Sequence, residues 1–344
     1  WDTVEATVID PQQQGGIFMF TIPDQGRIIL EGLTFQNAFK EGKLSLSDLF
    51  DPPYYEEPHG AAIFADGGQV DVRFCVFTNC LAALGGAVYF GNTQATVSHC
   101  IFVGNEGWHG GALIADMDSE VMLDHCTLAG NWGNVNGGAA AVEFGSTLAV
   151  SKSIFWGNDL IEPDRQGTQI YASDASSVSV WYTVVQDGAD GIFAADLNST
   201  ILLDESVLEA DPLFASFDAQ QLPFEWDVRL LSMFGRWDPT VQQWVTDAST
   251  SPCIIAGPSE ADYSREPWPN GRRANIGAYG NTAQASMYGN IADLNIDGRV
   301  DLFDVAQLSA VWMDVPVDYE DFDHSGVVDI ADILILAENW LWQI

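Results

Sequence analysis

The chain has 344 residues and a formal charge of −37, from 49 Asp and Glu against only 12 Lys and Arg. So acidic a balance argues against nucleic acid or anionic lipid as a partner, because both need clustered cations; it suits solubility, divalent cations or a role outside the cell. Hydrophobic residues make up 47% and glycines number 32, which excludes a disordered acidic tail, and no run of about 18 apolar residues is present to span a membrane.

No signal peptide is visible. Trp1 falls partway through a strand pattern, so an upstream segment or a processed mature form is expected. Residues 7–9, 17–20 and 27–30 are short β-rich runs separated by Asp-Pro, Gly-Gly and Asp-Gln-Gly breaks. Leu33-Thr34-Phe35 then begins a pattern that returns later. Residues 39–58, rich in charge and aromatic rings, read as a loop insertion extruded from that pattern.

From 59 to 188 the chain repeats. Gly85-Gly86-Ala87, Gly110-Gly111-Ala112 and Gly137-Gly138-Ala139 each lead to a Cys- or Ser-headed strand that ends on Asn105, Asn131 or Asn158. A fixed period of this length is the signature of a solenoid, whose turns bury a core only by stacking. Leu33, Cys75, Cys100, Cys126, Ser153 and Thr183 form one column. Phe35, Phe77, Phe102, Leu128, Phe155 and Val185 form a second, two residues later, so both face inward. Phe74, His99, His125, Lys152 and Tyr182 precede the first column and are expected to point outward. A turn of about 25 residues fits three short strands and three bends, with parallel strands about 4.8 Å apart. The Gly-Gly step supplies a tight corner, and the Asn column supplies amides that can bond along the axis. The expected fold is mainly β, a right-handed parallel β-helix.

The Gly-Gly-Ala-(Ile/Val/Leu) and Phe-x-x-Asn pairing, carried by Gly85–Val88, Gly110–Leu113, Phe102–Asn105 and Phe155–Asn158, resembles the repeats of polymorphic outer-membrane proteins and related secreted β-helices. Residues 128–131 depart to Leu-Ala-Gly-Asn, and Cys80 stands in the Asn place of an earlier turn. The resemblance covers residues 25–190 and speaks to fold. Residues 211–288, with Asp211-Pro212, Ser251-Pro252-Cys253 and Asn275-Ile276-Gly277, look like the closing segment of secreted bacterial β-helix proteins with dockerin-like tails, in which Asp is common where this chain has Ile255. The resemblance implies a cap over the last coil.

The tail carries the readable chemistry. Residues 293–304 and 321–332 both fit a twelve-residue calcium loop, with oxygen ligands at positions 1, 3, 5, 7, 9 and 12 and Gly at position 6. The first offers Asp293, Asn295, Asp297, the Arg299 carbonyl, Asp301 and Asp304. The second offers Asp321, Asp323, Ser325, the Val327 carbonyl, Asp329 and Asp332. Two Ca2+ sites are therefore expected. Val305, Leu308 and Trp312 match Ile333, Leu336 and Trp340 across the duplication, at spacings that place each trio on one helix face. The duplicated loop and helix resemble a dockerin module, with Asp in place of the usual Glu at position 12. That resemblance implies partner contact through positions 10 and 11. Here these are Leu302-Phe303 and Ile330-Ala331, an apolar choice that implies another copy of the chain or a surface anchor in place of a cohesin.

Three domains are expected: a β-helix over 1–210, a closing segment over 211–288 and a dockerin-like domain over 289–344. Between residues 60 and 160 the only cations are Arg73 and Lys152, too few and too separated for a lyase site. Asp116, Asp118, Glu120 and Asp124 are the nearest approach to a hydrolase cluster and read as a solvated bend. His99 and His125 read as a surface ladder, and Trp156 and Trp181 as ordinary packing. The odd cysteine count precludes a fully paired framework; Cys75, Cys100 and Cys126 read as inward thiols, with Cys80 and Cys253 unassigned. The functional expectation is a secreted, extracellular or cell-surface scaffold for adhesion or assembly, non-catalytic, anchored by its calcium module and able to stack head to tail into a filament. Its expected partners are neighbouring copies or a cell-surface or matrix protein, with polysaccharide as a further candidate. The alternatives are a polysaccharide lyase, a glycoside hydrolase and a non-catalytic glycan-binding protein.

Overall fold

The computed structural model describes residues 7–23, 26–40, 59–162, 165–218, 221–314, 319–323 and 325–343. The insertion expected over 39–58 lies outside these residues beyond Lys40. The chain divides into two compact units, Trp1–Val228 with Ile276–Gly280, and Arg229–Asn275 with Asn281–Ile344.

The first unit is a parallel β-helix. Successive turns pair in register: Phe35 with Phe77, Phe77 with Phe102, Phe102 with Leu128, Leu128 with Phe155 and Phe155 with Val185. These six side chains are fully or almost fully buried. The Phe35, Phe77 and Phe102 rings stack face to face at 4.9 and 4.6 Å. Inward Val70, Ala95, Val121, Leu148 and Val178 build the facing sheet by the same alternation.

Four of the turns carry one more strand than expected. Three sheets have seven strands among the described residues, and a fourth has four, Leu81–Leu84, Glu106–His109, Trp132–Asn136 and Asp159–Leu160. The segment between the Asn corner and the Gly-Gly corner is long enough to pair with its neighbours, which the bend-like sequence concealed.

A corner interrupts the strand ladder and leaves backbone N–H groups to satisfy. Three corners solve this with side chains from the next turn. Cys80 N donates to Asn105 Oδ1, Asn105 N to Asn131 Oδ1 and Asn131 N to Asn158 Oδ1, at 2.9–3.0 Å. Cys75 N meets Cys100 Sγ at 3.4 Å, Cys126 N donates to Ser153 Oγ and Ser153 N to Thr183 Oγ1. The Cys/Ser/Thr column is therefore a ladder of acceptors as well as a packed core. The third ladder runs Thr93, Ser119, Ser146, Ser176, Ser199. The fourth corner uses glycine. Gly85, Gly110 and Gly137 take φ of 60–67°, and a Cβ on Gly86, Gly111 or Gly138 would lie 2.1–2.2 Å from the next turn's carbonyl. All five cysteines are buried free thiols; burial pushes Cys80 up to about 12.

Part of the 211–288 segment lies along the coil. Phe214, Phe217, Trp226, Val228 and Ala278 pack with Val76, Ile101, Val103 and Ala129 on the flank of the coil. The outward apolar residues of that sheet leave a face that must be covered. The rest of the segment joins the tail. Trp268 packs with Ala292, Leu294, Val300, Leu308, Phe322, Val328 and Leu336, and its indole donates to the Ile291 carbonyl at 2.9 Å. A tail as short as 289–344 buries little on its own, and Trp268 adds to its core.

Candidate functional site

The two acidic loops sit in this second unit and mirror each other. In the first, Asp293 accepts from Asp297 N at 3.2 Å and Gly298 N at 3.0 Å; in the second, Asp321 accepts from Ser325 N at 3.0 Å and Gly326 N at 2.6 Å. Gly298 and Gly326 take φ of 82° and 92°, so each loop reverses at its sixth residue. Helices α1 (Leu302–Ala310) and α2 (Ile330–Glu338) follow, opened by the capping boxes Asp301/Asp304 and Asp329/Asp332. Asp304 and Asp332 are fully buried. Each folds back over its loop, Asp304 accepting from Leu294 N and Asp301 N, Asp332 from Phe322 N and Asp329 N. The halves interlock: Val300 N donates to Trp342 O after α2, and Met313 N after α1 donates to Val328 O. Leu308 and Leu336 are buried as the duplication requires, but Trp312 and Trp340 lie past the helix ends, each 41% exposed.

Carboxylate oxygens of Asp321, Asp323 and Asp332 lie within 4.8 Å of one another, close enough to hold a divalent ion. The first loop has an amide, Asn295, at the position of Asp323 and a carboxylate, Asp297, at the position of Ser325, so each loop offers four carboxylates; Asn295 Nδ2 donates to Asp297 at 3.2 Å. Burial, then the charges of Asp304 and Asp297, push Asp293 above the ordinary carboxylate range. A bound cation would relieve that crowding. The donors are all hard oxygens, which fits a calcium-like ion and not a soft metal. Ser325 Oγ donates to the Val327 carbonyl at 3.0 Å, and Asp301 and Asp329 accept from Phe303 N and Ala331 N, so these ligands are held by their own loops.

A second constellation escaped the sequence reading. In the β-helix, Glu143 N donates to Ala115 O and Ser173 N to Val142 O, which stacks Asp116, Glu143 and Ser173 on successive turns. His109 reaches across from the fourth sheet, its Nδ1 2.7 Å from Glu143 Oε1. Tyr89 OH donates to Asp116 Oδ2 at 2.9 Å. Asp116 is 4% exposed, not solvated as expected, and burial pushes it up to about 6. Burial works against protonation of His109, but the bond to Glu143 and its charge outweigh it and hold the imidazole above its ordinary range. These residues border a cavity of about 800 Å³ walled by Phe144 and Tyr171. Glu143 carries no signal in the sequence, because it lies 34 residues from His109 and no local motif joins them.

The repeating turns and paired columns are matched by a family model described as a right handed beta helix region, over residues 24–211. The chain belongs to the right-handed β-helix family. No curated protein and no solved structure gives a match. On this β-helix the two cations considered for a lyase base are held by carboxylates: Arg73 pairs with Asp71 at 2.9 Å, alongside Arg27, and Lys152 pairs with Asp124 at 2.9 Å. The His99–His125 ladder is stacked at 4.8 Å as foreseen. His125 is buried, however, and His99 half-buried. Lys152 O accepts from Gly277 N as residues 276–280 cross the flank, and burial pulls His99 down to about 3.

Proposed function

We propose that this right-handed β-helix is a non-catalytic extracellular scaffold, anchored or assembled through a dockerin-like calcium module at its C-terminal end. The observation that carries the reading is the duplicated loop: two twelve-residue acidic turns, each closed by a buried carboxylate at the start of a helix. Calcium would be held by Asp293, Asn295, Asp297, the Arg299 carbonyl, Asp301 and Asp304, and by Asp321, Asp323, Ser325, the Val327 carbonyl, Asp329 and Asp332. The ion would neutralise the crowded carboxylates and fix each helix to its loop. Leu302, Phe303 and Ile330, exposed by 72%, 71% and 62%, offer an apolar face to another copy or to a surface or matrix protein. The formal charge of −37 suits a location outside the cell.

Calorimetric titration of the full chain with Ca2+ tests this. Two binding events are expected, with Asp304→Ala and Asp332→Ala each removing one. A flat titration would overturn the reading. The enzyme alternative has one observation in its favour, the stacking of Asp116 and Glu143 on neighbouring turns. Release of unsaturated or reducing ends from a polysaccharide, abolished by Glu143→Gln, would put it in place of the scaffold reading.

A further inference from the structure

On the solenoid's outer face, a buried and a half-buried carboxylate are each matched with Lys or Arg. Asp71 meets Arg27 and Arg73. Asp124 meets Lys152. The groove at Asp116 and Glu143 breaks that pattern. Two buried carboxylates share one imidazole, His109, and among the described residues no Lys or Arg lines the cavity. Arg165 is near enough to act on His109, but its own Nε is bonded to Glu162 at 2.8 Å. Asp118, Asp174 and Asp196 add further negative charge along the rim. Burying carboxylates without enough counter-charge is costly, and the rise of Asp116 to about 6 is the response of such a group to burial.

We propose that the missing charge comes from a ligand, and that the groove binds an organic ammonium group borne on a chain, a polyamine or an amino sugar oligomer. A bare metal ion fits poorly. Among the described residues, only Asp321, Asp323 and Asp332 bring three such ligand atoms together, and a space of about 800 Å³ far exceeds one ion. The walls match an organic cation instead. Phe144, 49% exposed, and Tyr171 present aromatic rings beside the carboxylates, and a desolvated ammonium gains from both. Uronate chains would be repelled by the same charges. This site is independent of the calcium loops.

The test is calorimetric titration of the calcium-loaded full chain at moderate salt with spermidine, a glucosamine oligomer, its N-acetylated counterpart and a galacturonate oligomer. One of the two ammonium ligands is expected to bind at least tenfold more tightly than the neutral oligomer, and which one identifies the source; the galacturonate should not bind. Glu143→Gln and Tyr171→Ala should each weaken the winner at least tenfold, while calcium binding stays unchanged. If Glu143→Gln fails to fold, Phe144→Ala at the exposed rim serves in its place. Equal affinity for the neutral and cationic oligomers would overturn the proposal. So would ammonium binding that survives the groove variants, which would mark mere attraction to an acidic surface.

Discussion

Glu266 is 4% exposed, and its Oε1 accepts from Asn275 N and Asn281 N, both at 2.7 Å, while Oε2 has no hydrogen-bond partner among the described residues. Burial pushes its carboxyl from the ordinary range up to about 8. The folded chain therefore keeps a proton that the unfolded chain releases near pH 4.5. Stability is full below that value and is lost as pH rises towards 8, at about 1.4 kcal/mol per pH unit. Glu266→Gln should flatten this slope in denaturant unfolding between about pH 5 and 8; an unchanged slope would refute the assignment. His99 works in the opposite sense. Its depressed value means that stability is full above about pH 6.5 and falls as pH drops towards 3. Ile255 shows a cost of another kind: its φ of 53° suits the Asp or Asn that tolerates left-handed backbone, not a β-branched side chain.

Corners, more than strands, determine how well the coil holds. Asn131 accepts from Asn105 N and Nδ2, and donates to Phe102 O and Asn158 Oδ1, all at 2.9–3.0 Å. Asn131→Ala leaves buried backbone groups of two turns unsatisfied and should cost about 3–5 kcal/mol by equilibrium unfolding. A loss under about 1 kcal/mol would show that water or backbone movement replaces the ladder. The Asn column was legible because one residue type recurs in the same place. The Ser119–Ser176 ladder was not, because serine in a bend is common for many reasons.

The proposed self-assembly would use the first turn among the described residues. Val8–Ile9, Phe18–Thr21 and Arg27–Glu31 are edge strands with a neighbour on one side only among the described residues. Ile9, Phe18, Phe20 and Ile28, which face the core, are only partly buried, whereas Phe77 and Phe102 deeper in the coil are covered. Open edges pair readily, and a heterologous contact that does not close yields a filament. Sedimentation of the calcium-loaded chain is expected to show concentration-dependent oligomers that chelation dissociates or loosens. A monodisperse monomer across the micromolar range would sink the self-assembly part of the reading.

Sequence alone determined the stacked turns, the inward Phe column, the Asn ladder and both acidic loops. Each is a local pattern repeated at a fixed spacing, and repetition multiplies a weak signal. Only the tertiary structure decided the fourth sheet, the joining of Trp268 to the helices' core, and the partial covering of His99 beside residues 276–280. It also decided that Asp116, Glu143 and His109 share one groove. Whether a polar side chain is solvated depends on what distant segments lay over it, and that covering carries no period. The acidic loops could be read because all their donors lie within twelve residues, whereas the groove is assembled from neighbouring turns and from bends that resemble ordinary surface.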